Sequence, residues 1–178
     1  MESFDRAYTE TMRIEFGYVN DTDDPGGETY NGISRRYHPD WLGWFIVDEA
    51  SDKTQLRDNV KLKALVRQFY YNEFWRPLRC DELPPEIAAE LFDTAVNVSE
   101  RKAVKILQKS LNILNRNEKL YPDLKVDGSI GPVTIGAVEL VKPHRLLKCL
   151  NGFQFMHYAG LYEARPNLEK FAGWVDRT

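Results

Sequence analysis

The hydrophobic positions along the chain predict a mainly helical protein. Phe4, Ala7, Tyr8 and Thr11 recur at spacings of three and four residues, which places them on one face of a first helix. The same spacing recurs in three later segments, whose apolar positions are Leu62, Leu65, Val66 and Phe69; Ile87, Leu91, Ala95 and Val96; and Val104, Leu107, Leu111 and Leu114. Further helices are predicted to begin at Pro132, Pro143 and Pro166.

One segment near the start of the chain departs from this helical pattern. Gly17 is a natural end for the first helix, and residues 18–34 are rich in Asn, Asp, Thr, Pro and Gly. That composition is typical of turns, so we expect a loop or a short β-hairpin there. The predicted fold class is therefore mainly α, a single compact domain with a small hairpin or loop after the first helix.

Composition and charge exclude several classes of protein. The chain has 178 residues, of which 43% are hydrophobic and 29% charged, as in globular domains. No run approaches the roughly 18 apolar residues of a membrane span, so we expect no integral membrane segment. The net charge of -3 and the lack of a basic run argue against a nucleic-acid partner. The N-terminus lacks the features of a Sec signal peptide, so we expect synthesis in the cytoplasm.

Cysteine and histidine positions predict no metal site and no cofactor. Cys80 and Cys149 are too few and too widely separated for a zinc site, and free thiols are the commoner state of such residues in a cytoplasmic product. The three histidines lack metal-ligand spacing. An acidic run at residues 21–24 fails as an EF-hand, because proline and glycine occupy positions that need ligands.

Glu15 continues the apolar stripe of the first helix, which makes it a candidate general acid. Partial burial raises the pKa of a carboxyl and favours the protonated form that glycoside hydrolysis requires. Asp24 follows across the turn-rich segment and can supply the ionised partner, while the hydroxyl of Thr29 can hold a water. Spacing alone still favours a simpler interpretation, in which Glu15 is a solvated helix end and the aspartates build turns.

The order of residues from Glu15 to Ser34 resembles the signature of glycoside hydrolase family 108, a family of lysozyme-like N-acetylmuramidases that includes phage endolysins. The pattern is Glu-Gly-Gly-Tyr-x-Asn, then Asp-Pro-Gly-Gly-x-Thr, then Gly-Ile-Thr or Gly-Ile-Ser. The chain matches it at Glu15, Gly17, Tyr18, Asn20, Asp24, Pro25, Gly26, Gly27, Thr29, Gly32, Ile33 and Ser34. Phe16 departs from it, and can either dry the neighbouring carboxyl or narrow the cleft.

This resemblance implies a lysozyme-like fold and assigns the catalytic glutamate to Glu15. The order Glu, Asp, Thr is also similar to the catalytic set of phage-type lysozymes, which implies catalytic roles for Asp24 and Thr29. The expected reaction is hydrolysis of the β-1,4 bond between N-acetylmuramic acid and N-acetylglucosamine in bacterial peptidoglycan. An enzyme made without a Sec signal would then reach the wall through a holin or another export route.

The second half of the chain is similar to the predicted peptidoglycan-binding region of the same family. The resemblance lies in residues 107–112 and 126–134, and it implies a catalytic region at 1–98 and a helical region at 99–178, packed into the same lobe. The Asp127-Gly128 and Gly131-Pro132 pairs are equally well explained as a turn and a helix start. We expect a monomer.

Substrate contacts are predicted at Tyr30 and Asn31, which flank Thr29, and at Asn97, which can line the cleft or cap the backbone. Core packing is the commoner fate of the aromatic residues in this region. Two other functions stay open: a non-catalytic peptidoglycan-binding protein on the same fold, and a lytic transglycosylase or chitinase-like enzyme.

Overall fold

A computed structural model describes residues 2–13, 17–20 and 26–164, and the structural statements below refer to those residues. The α-helices are α1 (Glu2–Thr11), α2 (Gly43–Glu49), α3 (Val60–Tyr70), α4 (Pro85–Val98), α5 (Glu100–Leu114), α6 (Pro132–Glu139) and α7 (Pro143–Ala164). Two 3-10 helices, Lys53–Asp58 and Cys80–Glu82, and a π-helical segment, Tyr71–Trp75, complete the helical elements. The strands are β1 (Tyr18–Asn20), β2 (Glu28–Tyr30) and β3 (Ile33–Ser34).

Contacts divide the chain into two units, which are described separately. The sheet unit comprises Tyr8–Glu73, and the helical unit comprises Met1–Ala7 with Phe74–Thr178. α4, which lies in the region predicted at 1–98, packs against α5 and α7 in the helical unit. The boundary predicted at 98/99 stays a prediction.

The sheet unit is built on an antiparallel sheet in the order β1-β2-β3. Asn31 and Gly32 form the two-residue turn between β2 and β3, with φ angles of 45° and 79°. Positive φ at both positions is the geometry of the hairpin turn that Asn-Gly favours. The turn pairs Tyr30 with Ile33, and both side chains are buried. Local sequence therefore specifies this hairpin.

The sheet unit also contains two helices with buried faces, α2 and α3. α3 buries Leu62, Val66 and Tyr70 at helical spacing, and the side chain of Asn59 caps its start by accepting a 2.9 Å hydrogen bond from the Leu62 N–H. α2 was not predicted, because its seven residues are too short a run for periodicity to distinguish a helix from a buried strand.

In the helical unit, α4, α5 and α7 pack together along aliphatic faces. An aromatic cluster adds to this core: Phe4 lies edge-on to Trp75 and Phe92, at centroid distances of 5.3 and 5.8 Å. The helices predicted from residues 87, 104, 132 and 143 onward are present. The last helix, predicted from Pro166, lies outside the described residues. The mainly helical, lysozyme-like fold class with a small antiparallel sheet after the first helix is confirmed.

Candidate active site

The two predicted carboxylates, Glu15 and Asp24, lie outside the described residues. The structure does describe the hairpin that carries the rest of the matched motif, from Gly26 to Ser34, and strand β1 beside it. The sheet and its turn bring Thr29 next to Val19, and Asn31 next to Gly17, which comes two residues after Glu15 in the sequence.

Thr29 lies in the middle strand of the sheet, opposite Val19 of β1 and Ser34 of β3. Residues alternate between the two faces of a strand, so Thr29 points away from the face that buries Tyr30. Its side chain is half-buried and makes no hydrogen bond to another described residue. The Thr29 hydroxyl is therefore available to donate to, or accept from, a water or a substrate group.

Asn31 links the hairpin turn to Gly17 through two hydrogen bonds. The Gly17 N–H donates to the Asn31 Oδ1 at 2.8 Å, and the Asn31 N–H donates to the Gly17 carbonyl at 2.9 Å. The Tyr70 hydroxyl donates to the Asn31 carbonyl at 2.8 Å. We call this set the Asn31 clamp. It fixes the backbone two residues after Glu15, so the contacts of Asn31 indicate a positioning role beside its predicted contact with substrate.

Tyr30, the other predicted contact on the hairpin, is part of the core. Only 1% of its surface is exposed, and its hydroxyl donates to the Leu56 carbonyl at 3.1 Å. Its ring stacks on Trp41 at a centroid distance of 6.3 Å. A side chain buried to this degree offers no surface to substrate, so the prediction for Tyr30 is corrected to packing. Alternation along β2 explains why, since Thr29, and not Tyr30, points to the side of the strand away from this core.

A charged cluster beside the hairpin was not found from the sequence. Arg35 forms ion pairs with Glu28 and with Asp48, each at 2.5 Å, and its guanidinium lies 4.2 Å from the centre of the Trp44 ring. Hydrogen bonding to Arg35 lowers the pKa of the Asp48 carboxyl. These contacts join β2 to α2, which stabilises the strand that carries Thr29.

Asn97, the remaining predicted contact, lies in the helical unit. It is exposed near the end of α4, and its amide donates to the carbonyl and the carboxylate of Asp93, at 2.7 and 3.1 Å. These bonds reach back one turn along the same helix. Its predicted role in the cleft stays a prediction.

Glu90 in α4 has the raised pKa expected of a general acid, yet its position argues against that role. Burial, with a further contribution from Asp93, raises its pKa to about 7, and a hydrogen bond from Gln154 opposes the shift. Its Oε1 is buried and has no hydrogen-bond partner among the described residues. Because one oxygen of this half-buried carboxyl is enclosed in a helix-packing face, we assign Glu90 to helix packing rather than to contact with a polymer.

The residues that resemble a peptidoglycan-binding motif form a hydrogen-bonded loop on α5. The amide of Gln108 donates to Asp127 Oδ1 and to the Ser129 carbonyl, each at 3.0 Å, and accepts from the Gly128 N–H at 2.9 Å. Asn112 binds both the N–H and the carbonyl of Leu124 at 2.8 Å. The turn interpretation of this motif therefore has a direct physical basis.

Comparison with known proteins identifies the fold of the chain and its family. A solved structure of SagA from Brucella abortus matches with a TM-score of 0.66 and 23% sequence identity, covering 99% of this chain and 91% of that one. At this identity the likeness shows the fold. A search of curated proteins found no match.

The chain belongs to glycosyl hydrolase family 108, whose family model matches residues 8–98, just over half of the chain. A second family model, described as a predicted peptidoglycan domain, matches residues 102–178. The family resemblance seen in the sequence is thus confirmed, and the protein is a peptidoglycan-related glycoside hydrolase. No described helix combines the length and the apolar character needed to cross a lipid bilayer.

Proposed function

We propose that the protein is an N-acetylmuramidase that hydrolyses the β-1,4 bond between N-acetylmuramic acid and N-acetylglucosamine. The observation that carries this proposal is membership of glycosyl hydrolase family 108, because the matched region contains Glu15, Asp24 and Thr29 in the order of the family signature. The predicted peptidoglycan domain in the second half supports bacterial peptidoglycan as the substrate.

In the proposed mechanism Glu15 is the general acid and protonates the leaving glycosidic oxygen. Asp24 stays ionised and either stabilises the positive charge that develops on the sugar or activates a water. The hydroxyl of the half-buried Thr29, which has no hydrogen-bond partner among the described residues, supports a role in orienting that water. The Asn31 clamp supports the assignment indirectly, since it restricts the backbone that follows Glu15.

Turbidity loss of purified peptidoglycan tests the proposal. Wild-type protein clears the suspension, while Glu15→Gln, which keeps the size of the side chain but cannot donate the proton, clears it at least about 100-fold more slowly. Glu90→Gln is the matched control, because it removes the described carboxyl with a pKa near that of a general acid. Its clearing rate should equal that of the wild type.

Product analysis separates the muramidase from the other enzyme classes. Mass spectrometry should find reducing N-acetylmuramic acid ends after digestion. Anhydro ends would identify a lytic transglycosylase, and comparable activity on chitin would identify a chitinase-like enzyme. Binding to peptidoglycan without clearing by the wild type would identify a non-catalytic binding protein and refute the proposal.

A further inference from the structure

A groove of about 420 Å³ lies within the sheet unit. Three aromatic side chains, Tyr37, Trp41 and Phe69, contribute to its lining. The remaining polar part of the lining comes from the turn before α2, from the last turn of α3 and from the π-helical segment. Its size falls within the range of small-molecule sites, which is about 300–1,000 Å³.

The polar side chains of this groove are available to a ligand. Asp40, Gln68, Asn72 and Glu73 are exposed, and none of the four makes a side-chain hydrogen bond or ion pair with another described residue. Tyr37 is 65% exposed. Trp41, in contrast, is held by Tyr30 and Trp44, at ring-centroid distances of 6.3 and 5.1 Å. The groove thus combines a packed aromatic residue, Trp41, with exposed polar side chains that have no hydrogen-bond partner among the described residues.

The backbone at the groove supports a functional role. Asn72 and Glu73 belong to the π-helical segment that directly follows α3. Such segments are rare, since widening a helix by one residue costs stability, and those that occur are frequently at functional sites. Here the widened turn carries two of the unpaired polar side chains.

The charges of the lining define the ligand class. The described lining residues include no lysine or arginine, and the imidazole of His38 lies edge-on to Phe69 at a ring-centroid distance of 4.7 Å, so an anionic ligand such as a phosphate would find no permanent cation there. Amide and carboxylate groups accept hydrogen bonds from hydroxyl and N–H groups, and aromatic rings cover apolar ring faces. An uncharged sugar with hydroxyls and an N-acetyl group meets all of these conditions.

We infer that this groove is a subsite for a neutral N-acetylated sugar ring of the peptidoglycan glycan strand. The inference rests on the proposed function for the identity of the polymer, and it adds the place where a sugar ring binds. Tyr37 supplies the exposed aromatic face, and Trp41 forms part of the groove wall. Asn72 and Gln68 bind the polar substituents.

Calorimetric binding of a neutral N-acetylated chito-oligosaccharide to the full-length Glu15→Gln protein tests the subsite. Adding Tyr37→Ala or Asn72→Ala should weaken binding by about threefold to tenfold each, as expected for one lost aromatic contact or hydrogen bond. Tyr37→Phe keeps the aromatic face and should restore most of the affinity. Phe45→Ala is the matched control, because Phe45 is a 69% exposed aromatic residue of the same unit outside the groove.

Unchanged affinity in both groove variants, with normal thermal unfolding, would overturn the subsite. The subsite would also be overturned if a free stem peptide displaced the oligosaccharide and the same variants bound that peptide more weakly. The groove would then bind the amine of the peptide and not a sugar ring. These outcomes are separate from the proposed function, which is tested by the clearing of peptidoglycan and by the products of digestion.

Discussion

The polar groups of the hairpin in the sheet unit and those at the α4–α7 contact in the helical unit differ in how fully they are hydrogen-bonded. Asn31 has a partner for its N–H, its carbonyl and its side-chain oxygen. Glu90, in contrast, has a buried carboxyl oxygen without a partner in the described part of the chain. Gln154 donates to the Thr94 hydroxyl close by, and its own carbonyl is also buried and unpaired.

This difference indicates that the two units are held in their conformations by different interactions. In the hairpin, specific hydrogen bonds define one backbone path, which the proposed catalytic role would require. In the helical unit, aliphatic packing is strong enough to tolerate an unpaired polar group, which costs about 1–3 kcal/mol. The polar contacts of the hairpin should therefore matter for both structure and catalysis, and those around Glu90 for stability alone.

Replacing Glu90 should give the largest stability effect, and one that depends on pH. The folded state raises the pKa of this carboxyl from 4.5 to about 7, so folding favours its protonated form. Its destabilising contribution is absent below pH 4.5, grows as the pH rises and is complete above pH 7. Glu90→Gln should therefore stabilise the protein at pH 8, by up to about 3 kcal/mol, and change little at pH 4.

Thermal unfolding of Glu90→Gln at the two pH values checks this prediction. Glu86→Gln, an exposed change in the first turn of the same helix, is the control; loss of a carboxylate near the helix N-terminus should lower stability slightly at pH 8, opposite in sign to Glu90→Gln. A Glu90→Gln protein that is less stable than wild type at pH 8 would show that the carboxylate has a favourable partner.

Replacing Gly32 should break the hairpin, with a smaller effect on stability. Its φ of +79° is strained for any side chain, and a Cβ at this position would lie 2.7 Å from the Tyr70 hydroxyl oxygen. Gly32→Ala should cost about 2 kcal/mol or more, measured by denaturant unfolding. Gly27→Ala is the matched control, since φ is +62° there and no atom of the described residues lies within 4 Å of the added Cβ.

The difference between the two glycine variants isolates the contact with Tyr70. The control should cost only the conformational penalty, about 1 kcal/mol. Equal losses in both variants would mean that the turn and α3 are less closely packed than described.

Replacing Asn31 should give the smallest stability change and separate stability from catalysis. Asn31→Gly tolerates the positive φ but loses the side-chain bond to Gly17, which costs about 1 kcal/mol. Asn31→Asp keeps an acceptor oxygen and should retain the clamp. If the clamp positions Glu15, kcat falls in Asn31→Gly while KM changes little, and Asn31→Asp recovers part of kcat. A change confined to KM would instead support the predicted contact of Asn31 with substrate.

Structural features that depend on local patterns of residues could be predicted from the sequence. The periodic aliphatic residues of α5, such as Leu107 and Leu111, defined that helix, and the turn-forming residues around Gly32 indicated the hairpin. Features that depend on distant partners were missed. The ion pairs of Arg35 and the environment of Glu90 involve residues far apart in the chain, whose proximity no local pattern encodes.

Tyr30 illustrates the same limit within the site. The motif predicted a role in the site for both Thr29 and Tyr30. Strand alternation, however, puts the side chains of two adjacent residues on opposite faces, so only one of them can face solvent when the other face is buried. Which residue faces inward depends on the packing of Leu56 and Trp41 against the sheet. Motif position alone could not decide it.

The clearing of purified peptidoglycan by Glu15→Gln, compared with wild type and Glu90→Gln, tests the central claim most directly. We predict that wild type and Glu90→Gln clear at equal rates and release reducing N-acetylmuramic acid ends, while Glu15→Gln is folded and inactive. Equal clearing by Glu15→Gln and wild type would contradict the assignment of Glu15 as the catalytic acid.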